Sequence, residues 1–284
     1  MTDNGVSPSG STTLSDTSTW LPLDGLAPGF DANKAPHDTA LSGREIVVLD
    51  GRGTRIAHRF TDHEVSWDYQ PGAGDALAAH EGVDEYEAFL VDDGLYFVQF
   101  HHRERQEQAV SLVLDLRDGH ALGIVSTILA EDGLPAGQTR VRHDVAPGSI
   151  EGILPQGTPP SPTSSMVGRR VVWDYSPEHA YEHIYLSEQW YTWQCLAGPE
   201  AGLADTDENT VWEIRPGINV FAWREKVIPC ASVTIADHRN ARAIRSHGVL
   251  FGLDESGLVP THFTFGAHGR LVSLTVHPES FNFG

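Results

Sequence analysis

Apolar and polar positions alternate with a period of two along most of the chain. From Ile46 onward IVVLDG, RIAHRF, EVSWDYQ, YEAFLV, LYFVQFHH, AVSLVLDL and ALGIVSTIL follow one another, each rich in Val, Ile, Leu, Phe or Tyr. Those residue types in that alternation predict β-strands. Asp-Gly, Gly-Arg-Gly or polar clusters separate most of the runs, and such short gaps predict hairpins and an antiparallel sheet. The pattern stops at Leu154–Ser165, where four Pro with Ser, Thr and Gly fall within twelve residues, LPQGTPPSPTSS. This stretch can neither continue a sheet nor form a helix, and it predicts a linker over residues 154–166. Strand patterning then resumes as RVVWDY, AYEHIYLS, QWYTWQCL, TVWEI, INVFAWRE, ASVTIAD, ARAIRSHGVLF, THFTFG and LVSLTVHP. Helix is expected only in loops such as Gly198–Asn209.

The two halves resemble each other. Gly94-Leu-Tyr-Phe-Val-Gln-Phe-His-His aligns without a gap on Gly217-Ile-Asn-Val-Phe-Ala-Trp-Arg-Glu, so His101 corresponds to Arg224 and His102 to Glu225. Upstream, Val65-Ser-Trp67 aligns on Tyr191-Thr-Trp193. One supersecondary plan used twice, with seven to nine short antiparallel strands per copy (a count on the order of that in small closed barrels), predicts two up-and-down barrels. A two-sheet sandwich is the alternative. The first barrel is expected over residues 20–153, with Trp20–Ala40 wrapping a domain edge, and the second over 167–284. Residues 1–19 are expected to be a disordered tail.

Composition narrows the function classes. The 284 residues are 40% hydrophobic, enough for real cores. A net charge of −20, from 39 acidic against 19 basic residues, disfavours nucleic acid and anionic membrane as partners. No apolar run approaches the roughly 18 residues of a membrane span, and the polar start lacks the basic and apolar parts of a signal peptide. A cytoplasmic protein is expected. Cys195 and Cys230 are the only cysteines, read as free thiols with a single disulfide as the alternative. No Gly-rich phosphate loop opens a helix, no Gly-x-Ser-x-Gly is present, and no His cluster has ligand spacing. Neither a cofactor nor a metal is expected.

The candidate chemistry lies in the second half. In GINVFAWRE, Asn219, Phe221, Trp223 and Glu225 share one face of an extended chain, and Arg224 points to the other. If that face lines a cavity, Glu225 becomes an acid/base group beside an aromatic wall; if it faces out, Glu225 is simply solvated. Tyr181, His183 and Tyr185 share a face of AYEHIYLS, and Tyr191, Trp193 and Cys195 one of QWYTWQC. The set reads as a pocket for a small aromatic or apolar molecule; the alternative is that the rings fill a core. Burial would raise the Glu225 pKa towards the range useful for proton transfer.

At YSPEHAYEHIYLSEQWYTWQCLAGPEAGLADTDE (Tyr175–Glu208) and VFAWREKVIP (Val220–Pro229) the chain resembles the MoaF family, whose label is molybdenum-cofactor biosynthesis and whose members have related N- and C-terminal domains. The second half is also similar, more distantly, to phenolic acid decarboxylases, which are cofactor-free calycin-type barrels with a Tyr-x-Tyr pair and a Trp-x-Glu. Trp173-Asp-Tyr175 and Trp223-Arg-Glu225 fall at those places, but the first Tyr is Trp173, and the position after Gly202 is Leu203 where that family has a substrate-binding Arg. The resemblances imply an all-β fold of two calycin/lipocalin-like antiparallel β-barrels in tandem. They imply a cofactor-independent lyase, isomerase or cyclase acting on a small aromatic or conjugated molecule. Glu225, Tyr175, His183 and Tyr191 are the expected catalytic residues, and Trp173, Tyr181, Trp193, Trp223, Leu203 and Arg224 the expected substrate contacts. A non-catalytic carrier and a pterin-related protein are the alternatives, and a homo-oligomer is compatible with any of these readings.

Overall fold

The computed structural model describes residues 20–132, 134 and 138–278. The expected tail at 1–19 lies outside the described residues. The first barrel consists of β1 (Glu45–Asp50), β2 (Arg55–Phe60), β3 (Glu64–Gln70), β4 (His80–Asp92), β5 (Leu95–His101), β6 (Gln108–Asp115), β7 (His120–Ile128) and β8 (Val141–Ile150). Each strand pairs antiparallel with its neighbour in sequence, and β1 closes on β8 at Val48↔Ile150. Up-and-down closure leaves no free sheet edge.

After β9 (Ser161–Pro162), the second barrel consists of β10 (Arg169–Asp174), β11 (Ala180–Tyr185), β12 (Trp190–Ala197), β13 (Ala204–Arg215), β14 (Ile218–Arg224), β15 (Cys230–Asp237), β16 (Ile244–Leu253) and β17 (Pro260–Leu274). Here β10 pairs with β17, and β12 with β13 closes the ring. The fold is therefore all-β, with two eight-stranded antiparallel barrels in tandem rather than sandwiches. Two local expectations are corrected. Residues 204–209, read as helical from their small and acidic residues, open β13, because pairing with β12 overrides local preference. The linker does continue the sheet briefly, since Ser161 and Pro162 pair with Glu213 and Trp212 at the far end of β13. A proline is tolerated on such an outermost strand. The only helix among the described residues is one turn, α1 (Leu23–Leu26).

The barrels share a third core between them. Leu95 and Phe97 of β5, Val113 of β6 and Ile124 of β7 point outward and pack against Val220 of β14 and Val233 of β15, all at most 1% exposed. Tyr96, Val98 and Phe100 of the same β5 face the first barrel's interior. Burial on both faces explains why LYFVQF is almost unbroken apolar sequence. At the rim of this contact Arg215 donates from Nε and Nη2 to Asp115 (2.9 and 2.7 Å) and from Nη1 to Asp92 (2.8 Å). The segment before β1 crosses over. Leu23 and Phe30 belong to the second barrel's core, so Trp20–Phe30 wraps that barrel and not the one whose strands follow it.

Candidate active site

The interior of the second barrel is lined by alternate residues of four adjacent strands. Tyr181 and His183 come from β11, Tyr191 and Trp193 from β12, Asp207 from β13, and Phe221 and Trp223 from β14, with Tyr175 just past β10 and Glu225 just past β14. The two-residue period alone places them inward. They enclose a cavity of about 60 Å³, on the scale of a water or two. It is small because the N-terminal segment fills the barrel mouth. Trp20 meets Trp193 edge-on at 5.3 Å, and Phe30 stacks on Tyr175 at 4.3 Å. Gly29, with φ 76°, makes the turn that delivers Phe30.

Glu225 is 4% exposed and faces this cavity, not solvent. Its Oε1 accepts the backbone N–H groups of Lys226 (2.8 Å) and Val227 (2.9 Å). Beside it Asp207, fully buried, accepts the Trp193 indole N–H at Oδ2 (2.8 Å). Its other oxygen, Oδ1, has no hydrogen-bond donor among the described residues; the nearest cation, Lys226 Nζ, is 3.5 Å away and lies 2.6 Å from Asp205. Two buried carboxyls side by side cannot both ionise cheaply, so one proton between them satisfies both. Burial, then the charge of Asp207, pushes the Glu225 carboxyl up to about 8. Burial raises Asp207 as well.

The other polar groups around the cavity are held neutral. Burial pushes the phenols of Tyr175, Tyr181 and Tyr191 upward, so they remain donors. Burial pushes His183 down to about 3, and its Nδ1 has no partner. It is a neutral imidazole among rings, packed 5.2 Å from Tyr191 and 5.9 Å from Phe221. Cys195 and Cys230 are free, buried and raised in pKa chiefly by burial, so they are protonated thiols and not a disulfide.

Of the expected site residues, the structure brings together Glu225, Tyr175, His183, Tyr191, Tyr181, Trp193 and Trp223. It separates three. Trp173 lies away from the cavity, its ring against Gly269, where a Cβ would come within 2.5 Å of Cζ3. Leu203 packs half-buried on the core from the β12–β13 turn. Arg224 leaves the opposite face of β14 and pairs with Glu208 at 2.7 Å, as strand alternation requires. Two acidic groups escaped the sequence reading. Asp207 was hidden in the stretch read as helix, although the offset that puts His102 on Glu225 also puts Asp84 on Asp207. Glu200, 5% exposed, accepts the Tyr181 hydroxyl (2.9 Å) and the Leu21 N–H (3.3 Å); no pattern in the sequence marks it. Asp205, Asp207 and Glu225 also place one oxygen each within 4.8 Å of one another, a group that could hold a cation if Lys226 withdrew.

Comparison with known proteins agrees with this two-part plan. Protein MoaF of Klebsiella aerogenes is 27% identical over 283 residues, 94% of this chain and 100% of that protein. A solved structure described as a "putative beta-lactamase" from Burkholderia vietnamiensis covers 38% of this chain and 95% of its own at 17% identity, with a TM-score of 0.30, a likeness too slight to carry an argument. The MoaF N-terminal domain matches residues 18–130 and the MoaF C-terminal domain residues 160–275, one to each barrel, and the chain belongs to the MoaF family.

Proposed function

We propose that the second barrel is the active centre of an enzyme that moves protons without a cofactor, on a small aromatic or conjugated molecule, as a lyase, isomerase or cyclase. The observation that carries this reading is the buried Glu225–Asp207 pair, which needs a shared proton and whose Glu225 faces a cavity walled by rings. Glu225, titrating near 8, can give up or take a proton around neutral pH, where an ordinary carboxyl is only a weak base. Tyr175 and Tyr191, held as phenols, donate hydrogen bonds to negative charge as it develops on the substrate. His183 orders the rings around it and is not a proton donor. Substrate reaches Glu225 once Trp20–Phe30 is drawn off the mouth, in the place of the rings that now fill it.

The test begins with mass spectrometry of small molecules released when the freshly purified protein is denatured, and continues with turnover of the compound class found. Glu225→Gln keeps the size and the backbone hydrogen bonds of Glu225. It should lower turnover about 10²-fold or more, and turnover that survived the change would refute the assignment. With Glu225 as the acid, the rate should fall as pH rises through about 8. A second reading, a carrier with no turnover, is favoured by the closed mouth: a compound bound tightly and recovered unchanged would support it. A pterin-related role is carried by the family's label alone.

A further inference from the structure

The first barrel holds the larger cavity, about 480 Å³ against about 60 Å³ in the second. Its lower wall is apolar, built from Val48, Ile56, Phe100, Val110, Leu112 and Val125. Ile56, Val110 and Val125 point into the barrel and yet are only half-buried, because the space they face is unfilled. The upper wall is basic. Arg105 lies 5.6 Å over the Trp67 ring, with Nη2 2.9 Å from His80 Nε2. Next to them His102, 6% exposed, is held through Nδ1 by Asp84 (2.8 Å), so Nε2 is the nitrogen a ligand would meet. Deeper in the wall His58 is 4% exposed with Nδ1 unpartnered.

Charge decides what fits. The carboxylates that line this cavity are already engaged, as is Asp84 behind His102, while Glu81 and Glu104 border the adjoining cleft on the other side of Arg105 without an ion pair to it. Asp84 takes Trp67 Nε1, His102 Nδ1 and the Arg103 N–H. Asp75 takes the Tyr69 hydroxyl and the Gly72 N–H, and Asp50 takes the N–H groups of Arg52 and Thr54, with the Thr54 hydroxyl 2.8 Å from each. Asp144, at the far rim, is paired with Arg142. Arg105 is different: among the described residues no carboxylate lies within ion-pair distance of it, in a chain of net charge −20. A guanidinium without a carboxylate partner, oriented by His80 Nε2 above an apolar well, matches a planar anionic head on an apolar body.

We infer that the first barrel is a binding site for a small aromatic or aliphatic carboxylate, its head group at Arg105, which His80 orients by accepting one of its N–H groups, and its body in the apolar well. This site is independent of the chemistry proposed for the second barrel. The test is calorimetric titration of the full chain with 3-phenylpropionate and, separately, with its uncharged amide. The carboxylate should bind saturably and more tightly than the amide. Arg105→Gln, which keeps the surface and removes the charge, should weaken carboxylate binding roughly tenfold to a hundredfold and leave the amide unchanged. Glu225→Gln should leave both unchanged. Absence of saturable carboxylate binding up to millimolar concentration would overturn the inference, as would equal binding of acid and amide. So would a loss of binding caused by Glu225→Gln and not by Arg105→Gln, since the ligand would then sit in the second barrel.

Discussion

The two barrels place the same three positions in the same geometry and fill the last one differently. In the first, Trp67 Nε1 and His102 Nδ1 both donate to Asp84 Oδ2 at 2.8 Å. In the second, Trp193 Nε1 donates to Asp207 Oδ2 at 2.8 Å, and Glu225 stands where His102 does. The ladders agree residue for residue: Asp84 faces Val65 and Asp207 faces Tyr191, while Trp67 faces Gly82 and Trp193 faces Asp205. What changes is the protonation state of the aspartate. Burial acts to raise Asp84, but the bonds from His102, Arg103 and Trp67 outweigh it and hold the carboxyl below its ordinary range. Asp207 is raised by burial, which the bonds from Trp193 and Glu225 and the charge of Lys226 do not outweigh. One substitution in a shared frame thus separates an ionised, fully bonded carboxylate from a proton-sharing pair.

The sharpest way to break this comparison is to make the same conservative change in each barrel. Asp84→Asn must turn an amide N–H₂ towards the indole and imidazole donors or towards the Arg103 N–H, so buried donors meet a donor. The expected cost is about 3 kcal/mol. Asp207→Asn can keep its carbonyl towards Trp193 and point its N–H₂ at Glu225, replacing the shared proton with a permanent one. It should cost about 1 kcal/mol or less. Urea unfolding of the two variants measures both. Equal losses would mean that the second pair is not sharing a proton.

Much of this frame was legible in the alternation of side chains. Phe221, Trp223 and Glu225 share the inner face of β14, and Arg224 leaves by the outer one, because strand period is insensitive to context. The paired halves also put Trp67 on Trp193 and His102 on Glu225. What escaped depends on partners distant in sequence. Asp207 reads as part of a polar, small-residue stretch until β12 is known to pair with it. Trp20 and Phe30 precede the first barrel yet close the second, and nothing local to them shows this. The cavity of the first barrel was also invisible, since Ile56, Val110 and Val125 look like ordinary core residues until the space in front of them is seen to be unfilled.

The next effect is a pH dependence that belongs to one barrel. The Glu225 carboxyl titrates near 8 when folded against an ordinary 4.5, so its contribution to stability is complete below 4.5 and is lost as pH rises to about 8. Six imidazoles act in the other direction: His143, His183 and His262, at about 3, and His58, His238 and His247, at about 4, lie below the ordinary 6.5. Their contribution is present above 6.5 and is lost as pH falls towards 4. Acid unfolding is therefore theirs, and because the unfolded imidazoles are still half protonated at 6.5, the carboxyl pair between 6.5 and 8 is isolated by comparison with Glu225→Gln. At about 1.4 kcal/mol per pH unit for one proton, stability relative to Glu225→Gln should fall by roughly 2 kcal/mol across that interval. Glu225→Gln alone should gain stability across the interval, since only the imidazoles then act. Asp84, with its pKa lowered, titrates far below this window, so Asp84→Asn should leave the slope as it was.

The smallest effect separates the two indole hydrogen bonds. Trp67→Phe and Trp193→Phe remove the same atoms from equivalent sites, and both tryptophans are buried, at 7% and 6% exposed, so the lost apolar area is nearly matched. Trp67 also lies under Arg105 and Trp193 meets Trp20, and the two differ further in the hydrogen bond. Trp67 donates to an ionised carboxylate, a bond worth about 2 kcal/mol, and Trp193 to one that shares a proton, worth about 1 kcal/mol. One asymmetry favours the same order. Trp67 lies flat on Gly82, where a Cβ would come within 2.5 Å of its Cζ2, so that indole has a backbone bed which a smaller ring fills poorly. Trp67→Phe should therefore lower stability by about 1 kcal/mol more than Trp193→Phe at pH 7. The bed contributes equally at every pH, whereas the charge does not. If the gap persists at pH 9, above the value of about 8 to which Glu225 is pushed, where the pair loses its shared proton and the second indole bond strengthens, packing on Gly82 and under Arg105 is its source. If it closes, the protonation state of the aspartate is.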